Sequence, residues 1–237
     1  MREKNKYHIR DFTSIVLFYL VFTCFFVASI MGIIDLVGGN INVGEVILRL
    51  VLTLLVCVPY IIKRIFRISF SKVVSAVYYV YIFLAGFLGI VLKFYRQIEW
   101  WDILIHFLMG VCLALLSIYI LNLTIYKKDT SKHNLFFTFI FMILFALGIG
   151  AIWEIFEFIL DGLLNTGFQR YVTYGGKLLV GRNAVVDTMV DIIMDFSGAI
   201  FGTVLARVIY IIDNRFLKTF KIKKLKKMEE EVENIEE

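Results

Sequence analysis

Apolar residues run along this chain in long stretches, interrupted by short blocks of charge rather than by regular polar positions. A bilayer core takes about 20 apolar residues in helical form, because each backbone group left unpaired in lipid costs several kcal/mol. Residues 15–34, 43–62, 73–94, 100–125, 135–160 and 185–212 meet that length. They predict an all-α fold, a polytopic membrane helix bundle of about six transmembrane helices. Only the charged stretch 93–99 separates the third segment from the fourth. No repeat or low-complexity linker divides the chain, which predicts one transmembrane domain over residues 1–212 and a tail over 213–237.

Composition argues against a soluble domain. Of 237 residues, 60% are hydrophobic and 19% charged, too few polar groups to wet the surface of a soluble fold. The apolar run 12–37 is too long for the core of a signal peptide, and no small-residue cleavage site follows it, so it predicts an uncleaved first helix. Cys24, Cys57 and Cys112 lie inside apolar runs without metal or redox spacing and read as small core residues.

Lys and Arg set the orientation. One side collects Arg2, Lys4, Lys6 and Arg10, then Lys63, Arg64, Arg67 and Lys72, then Lys127, Lys128 and Lys132, then Arg215 and the six lysines from Lys218 to Lys227. The other side holds only Lys93, Arg96, Arg170, Lys177 and Arg182. Both termini are therefore expected in the cytoplasm, in a multi-pass protein of the plasma (inner) membrane. The net charge of +5 is then a topology signal, and nucleic acid is not an expected partner. In the tail, Leu225, Met228, Val232 and Ile235 recur at 3-4-3 spacing, giving a short amphipathic helix. Its basic part suits anionic lipids, at about 1 kcal/mol per cation near the surface. A contact in a homo-oligomer is the other use of such a seam.

That topology gathers the ionisable residues. Asp102 and His106 open the fourth segment, Glu154, Glu157 and Asp161 close the fifth, and Asp187, Asp191 and Asp195 open the sixth. All fall in the outer leaflet. Spacings of i, i+4; of i, i+3, i+7; and of i, i+4, i+8 put each set on one stripe of its helix. Charged residues within a span face the bundle interior. So many carboxylates cannot all stay ionised in a low-dielectric site, which leaves protons, Arg182, His106 or a divalent metal ion to neutralise them. Asp, Glu and one imidazole suit Zn²⁺, Mn²⁺ or Fe²⁺ better than Mg²⁺ or Ca²⁺. Against this stands plain packing: a polar residue between helices is often only glue worth about 0.6 kcal/mol. Asp161 and Asp187 also lie near helix ends, where an interfacial carboxylate needs no special function.

Other features are structural in character. Gly198 and Gly202 with Ala199 form a smooth face for close helix approach. Trp100, Trp101 and Trp153 read as interfacial belt residues. Arg49, one turn after Glu45, pairs with the acidic cluster or snorkels outward. The loop 162–184 is either a lid or a connector.

The pattern Asp102-x-x-x-His106-Phe107-x-x-Gly110, Trp153-Glu154-x-x-Glu157, Asp187-Thr188-x-x-Asp191 and Gly198-Ala199 resembles the YjdF-type bacterial inner-membrane proteins. More distantly it is similar to the VanZ-like proteins, with Glu157 where that pattern has Gln and Asp195 where it has Asn. The resemblance spans about half of the chain, from Trp100 to Gly202. It implies a polytopic plasma-membrane protein, and VanZ-like members are linked to glycopeptide-antibiotic resistance. It names no reaction.

The expectation is an enzyme, or an enzyme-like protein, acting at the outer leaflet on a lipid-linked or envelope substrate. His106, Asp191 and Glu154 are the catalytic candidates. Asp102, His106, Glu154, Glu157, Asp187 and Asp191 are the candidate ligands for a divalent metal ion, the cofactor considered. Arg182 and Asp195 are the candidate substrate contacts, Arg182 for a phosphate-bearing head group. A proton- or cation-coupled transporter is the alternative, and a non-enzymatic assembly protein is a third reading.

Overall fold

The computed structural model describes residues 2–66, 68–69, 72–124, 134–164, 167–172, 177–212 and 223–224. Apart from Lys223–Lys224, which pairs antiparallel with Ile68–Ser69, the tail expected over 213–237 lies outside the described residues. The fold is all-helical: α1 (Arg2–Val37), α2 (Val43–Val56), α3 (Val58–Phe66), α4 (Lys72–Ile82) running on as a π-helix (Phe83–Val91), α5 (Phe94–Gln97), α6 (Trp101–Thr124), α7 (Leu135–Leu164) and α8 (Val186–Ile212). Among the described residues, five helical stretches are long and apolar enough to cross a membrane, and a sixth if the bent pair α2–α3 counts as one span. Two compact units result, one built from α1 to α4 and the π-helix, the other from α5 to α8.

In the first unit α2 begins at Asn42, whose side-chain oxygen accepts the Glu45 amide at 3.0 Å and so caps the helix. It then packs on α1 through Val21, Phe25, Leu52 and Val56. A polar string crosses this apolar contact. Ser29 and Thr53 share a hydrogen bond of 3.0 Å, the Thr53 hydroxyl donates to the carbonyl of Arg49, and Arg49 Nη1 donates to the carbonyl of Ala28 at 3.1 Å. A Cβ at Gly32 would lie 3.0 Å from Nη1, so the glycine leaves the guanidinium its place. Arg49 thus turns sideways onto the backbone of α1 instead of snorkelling outward.

The second predicted span is bent by 51° between α2 and α3. Pro59 explains the break, since it has no N–H for the carbonyl of Leu55 four residues earlier. The hydroxyl of Tyr78, from α4, donates to that carbonyl at 2.5 Å. Tyr78→Phe should therefore destabilise the protein by about 1 kcal/mol. Pro59→Ala in the same background should recover part of the loss by restoring the N–H. Thermal unfolding in detergent measures both.

In the second unit α6 packs most extensively on α8, and α7 lies against both. The register comes from glycines. A Cβ at Gly198 would overlap the carbonyl oxygen of Phe107, one at Gly110 would overlap that of Asp195, and one at Gly202 would lie 3.0 Å from Val111 Cα. Residue numbers rise together on the two helices, so α6 and α8 run parallel at near backbone contact. Gly198 and Gly202 do what their spacing predicts. Beyond them Ala114, Ile118, Met142, Ala146, Ala199 and Ala206 form a buried apolar core.

Candidate functional site

Parallel pairing brings the N-terminal ends of α6 and α8 together, and α7, running the other way, adds its C-terminal end. Acidic residues in the first turns of α6 and α8 also complement the positive ends of those helices. His106 stands at the centre and is 4% exposed. Its Nε2 lies 3.8 Å from Asp102 Oδ1 and 3.9 Å from Glu154 Oε1, and its Nδ1 lies 3.4 Å from each carboxylate oxygen of Asp195. Asp102, His106 and Asp191 each present one donor atom, all within 4.8 Å of one another. Glu154 is 3% exposed, and its carboxylate faces the His106 imidazole and the hydroxyl of Thr188.

Other acids have partners of their own. Glu157 accepts the Trp153 indole N–H at 2.8 Å, one turn away on the same helix. Asp161 accepts the backbone amides of Phe168 at 2.7 Å and Gln169 at 3.0 Å, which folds the chain back over the end of α7. Gly167 and Arg170 both take positive φ in this return, 73° and 45°. Trp101 is buried, its ring edge-on to Phe94 at 5.0 Å, whereas Trp100 is exposed.

The return segment carries two residues that the helical pattern did not single out. Gln169 Nε2 donates to Thr188 Oγ1 at 3.0 Å and to the carbonyl of Glu154 at 3.4 Å, tying α7 to α8. Arg170 is the cation of the cluster. Its Nη2 lies 3.1 Å from Asp102 Oδ2 and 3.2 Å from the carbonyl of Tyr95, and its Nη1 lies 3.5 Å from Asp187 Oδ1. Arg182, by contrast, is exposed on the 3-10 turn Gly181–Val185, and no ion pair joins it to the cluster among the described residues. Only the general richness of the loop in Gly, Tyr and Arg hinted at such a role for Arg170. The sequence profile of a family described as "predicted membrane protein (DUF2238)" matches residues 15–211.

The chain belongs to the DUF2238 family. The matched segment runs from the first helix almost to the end of α8, so it contains every residue of the cluster in this DUF2238 protein. No curated protein and no solved structure matches the chain.

Chemically, among the described residues, the site sets six carboxylates, Asp102, Glu154, Glu157, Asp187, Asp191 and Asp195, against one guanidinium and one imidazole. Burying unpaired charge costs several kcal/mol per ion even after relaxation. The arrangement therefore calls for protons on some of the carboxylates or for a further cation, and the mixed oxygen and nitrogen donors of Asp102, His106 and Asp191 are of the kind that suits a divalent transition metal.

Proposed function

We propose that this membrane protein is a metal-dependent enzyme of the plasma membrane, working at the non-cytoplasmic face on a lipid-linked or envelope substrate. The observation that carries the reading is the donor set of Asp102, His106 and Asp191 within 4.8 Å, with the buried carboxylate of Glu154 beside it. Three protein ligands leave open positions, which is the arrangement of catalytic rather than structural metal sites. A divalent cation held there supplies Lewis-acid polarisation of a carbonyl or phosphoryl oxygen. Glu154 accepts a proton from a water or substrate hydroxyl as general base. Arg170, its side chain 33% exposed, offers an anion contact for a phosphate-bearing head group, and Arg182 on the neighbouring turn offers a second. The likeness to YjdF-type and VanZ-like patterns supports an envelope role.

One further observation weighs against a carrier. Behind His106 the second unit is closed by backbone contacts at Gly110 and Gly198, and by the apolar core around Ala114 and Met142. A transport route needs polar groups along its length, and the buried hydroxyls at that level, Ser117 and Thr203, are both spent on carbonyls of their own helices, those of Ala114 and Ala199.

Elemental analysis of detergent-purified protein, grown and purified with metal supplied, tests the reading. About one ion per chain is expected, lost in His106→Ala and in Asp191→Asn. Wild type without metal, or variants that keep it, would sink the proposal. The same two variants should fail to rescue the envelope phenotype of a strain that lacks the protein.

A further inference from the structure

The most enclosed charged group in the second unit has no part in the donor set. Asp195 is 0% exposed, lies on the far side of His106 from Asp102 and Glu154, and faces the imidazole Nδ1 at 3.4 Å with both oxygens. Its Oδ1 has no hydrogen-bond partner among the described residues, and its Oδ2 is bonded to His106. The space it fills is made by a missing side chain. A Cβ at Gly150 of α7 would overlap Oδ2 and lie 2.8 Å from Cγ. Gly150 precedes Glu154 by one helical turn, so one stripe of α7 both admits the carboxylate of Asp195 and carries Glu154. Nothing in the packing alone calls for a carboxylate here, since burying one costs free energy unless it meets a donor or a charge.

We propose that Asp195 is a positioning residue that fixes His106 by accepting a hydrogen bond from Nδ1–H, and that Gly150 exists to let it do so. With the proton held on Nδ1, the Nε2 lone pair points at Asp102 and Glu154, where a cation or an acidic proton would meet it. Which ring nitrogen of a histidine is used is set by the bond that the other one makes. A substrate cannot reach Asp195 beneath the imidazole, so its place is behind the site and not in contact with substrate. The use of Nε2 as a metal donor rests on the reading above; the orientation of the ring does not.

Nitrogen-15 histidine NMR of the full chain in micelles tests this, recorded with and without zinc. The chain has three histidines, His8, His106 and His133, and His106→Gln assigns the signal of interest. Wild type should show a downfield, slowly exchanging Nδ1 proton on His106 in both states. Asp195→Asn should move that proton upfield and speed its exchange. Gly150→Ala should do the same with Asp195 intact, because the three atoms nearest to its methyl all belong to the Asp195 side chain. Zinc affinity should fall by about 10- to 100-fold in both variants. An Nδ1 that carries no proton in wild type overturns the proposal, and so does a signal that neither variant moves. Should Asp195→Asn fail to fold, Gly150→Ala and the wild-type spectrum decide. If wild type binds no zinc but the Nδ1 proton depends on Asp195, the metal reading falls and the positioning role stands. Zinc bound equally by wild type and both variants, with unchanged spectra, gives the reverse.

Discussion

Gly198→Val should abolish the folded second unit. The three atoms nearest to its Cβ would be the carbonyl oxygen, carbonyl carbon and Cα of Phe107, and all belong to the backbone of α6. Overpacking usually costs about 1–3 kcal/mol, because neighbouring side chains can change rotamer. A helix backbone has no such freedom. It can yield only by parting α6 from α8, and Gly110 holds the same pair together from the other side. Separation would strip the apolar core around Ala114 and Ala199 and spread the acidic cluster. That loss is comparable to the whole stability of a domain, about 5–15 kcal/mol. Size-exclusion profile and protease resistance in detergent measure it. Gly148→Val is the control, since nothing lies within 4 Å of a Cβ there, and it should leave both readouts unchanged. A Gly198→Val protein as stable as wild type would mean that α6 and α8 do not meet as described.

Arg170→Ala carries the second largest expected effect. The guanidinium serves Asp102, Asp187 and the carbonyl of Tyr95 together, and the two carboxylates are only 14% and 19% exposed. Exposed ion pairs contribute about 0–1 kcal/mol, and stripping one partner from a buried pair costs about 3–5 kcal/mol. A side chain one-third exposed falls between, so a loss of about 2 kcal/mol is expected by thermal unfolding. Asp102→Asn in the Arg170→Ala background should recover part of it by removing a carboxylate left alone. Arg170→Lys should not rescue fully, because a single ammonium cannot reproduce a planar fork that meets three acceptors. If Arg170→Ala melts like wild type, the guanidinium is solvated and the ion pairs add nothing.

The spans were legible because a bilayer imposes a length and an apolar composition that no other environment asks for. The grouping of acids was legible for a second reason. Helical periodicity puts Asp102 with His106, and Asp187 with Asp191 and Asp195, on shared stripes, and alternating direction brings those stripes to one end. Where the chain leaves regular helix, such reasoning loses its grip. Arg170 and Arg182 sit in one loop with the same charge, and only the fold of the return, pinned by Asp161, decides which reaches the cluster. Gly148 and Gly150 are likewise two residues apart in one apolar helix, yet one faces open space and the other a carboxylate. Asp195 falls on the acidic stripe, but its depth beneath His106 depends on that second glycine. The second span reads as unbroken along 43–62, and the group that answers the N–H missing at Pro59, Tyr78, lies 23 residues away from the carbonyl that it serves.

The parallel pairing of α6 with α8 also has a consequence for biosynthesis. Helices leave the ribosome in chain order, and domains form from the N-terminal side first. When α6 enters the bilayer, Asp102 and His106 have neither Glu154 nor Asp195 beside them, and the strap that carries Arg170 has not been made. α7 must turn back before α8 can be laid alongside α6. The cluster is therefore completed only when α8 brings Asp187, Asp191 and Asp195, and a nascent chain stopped short of it lacks the carboxylates that face His106 and Arg170 from that helix.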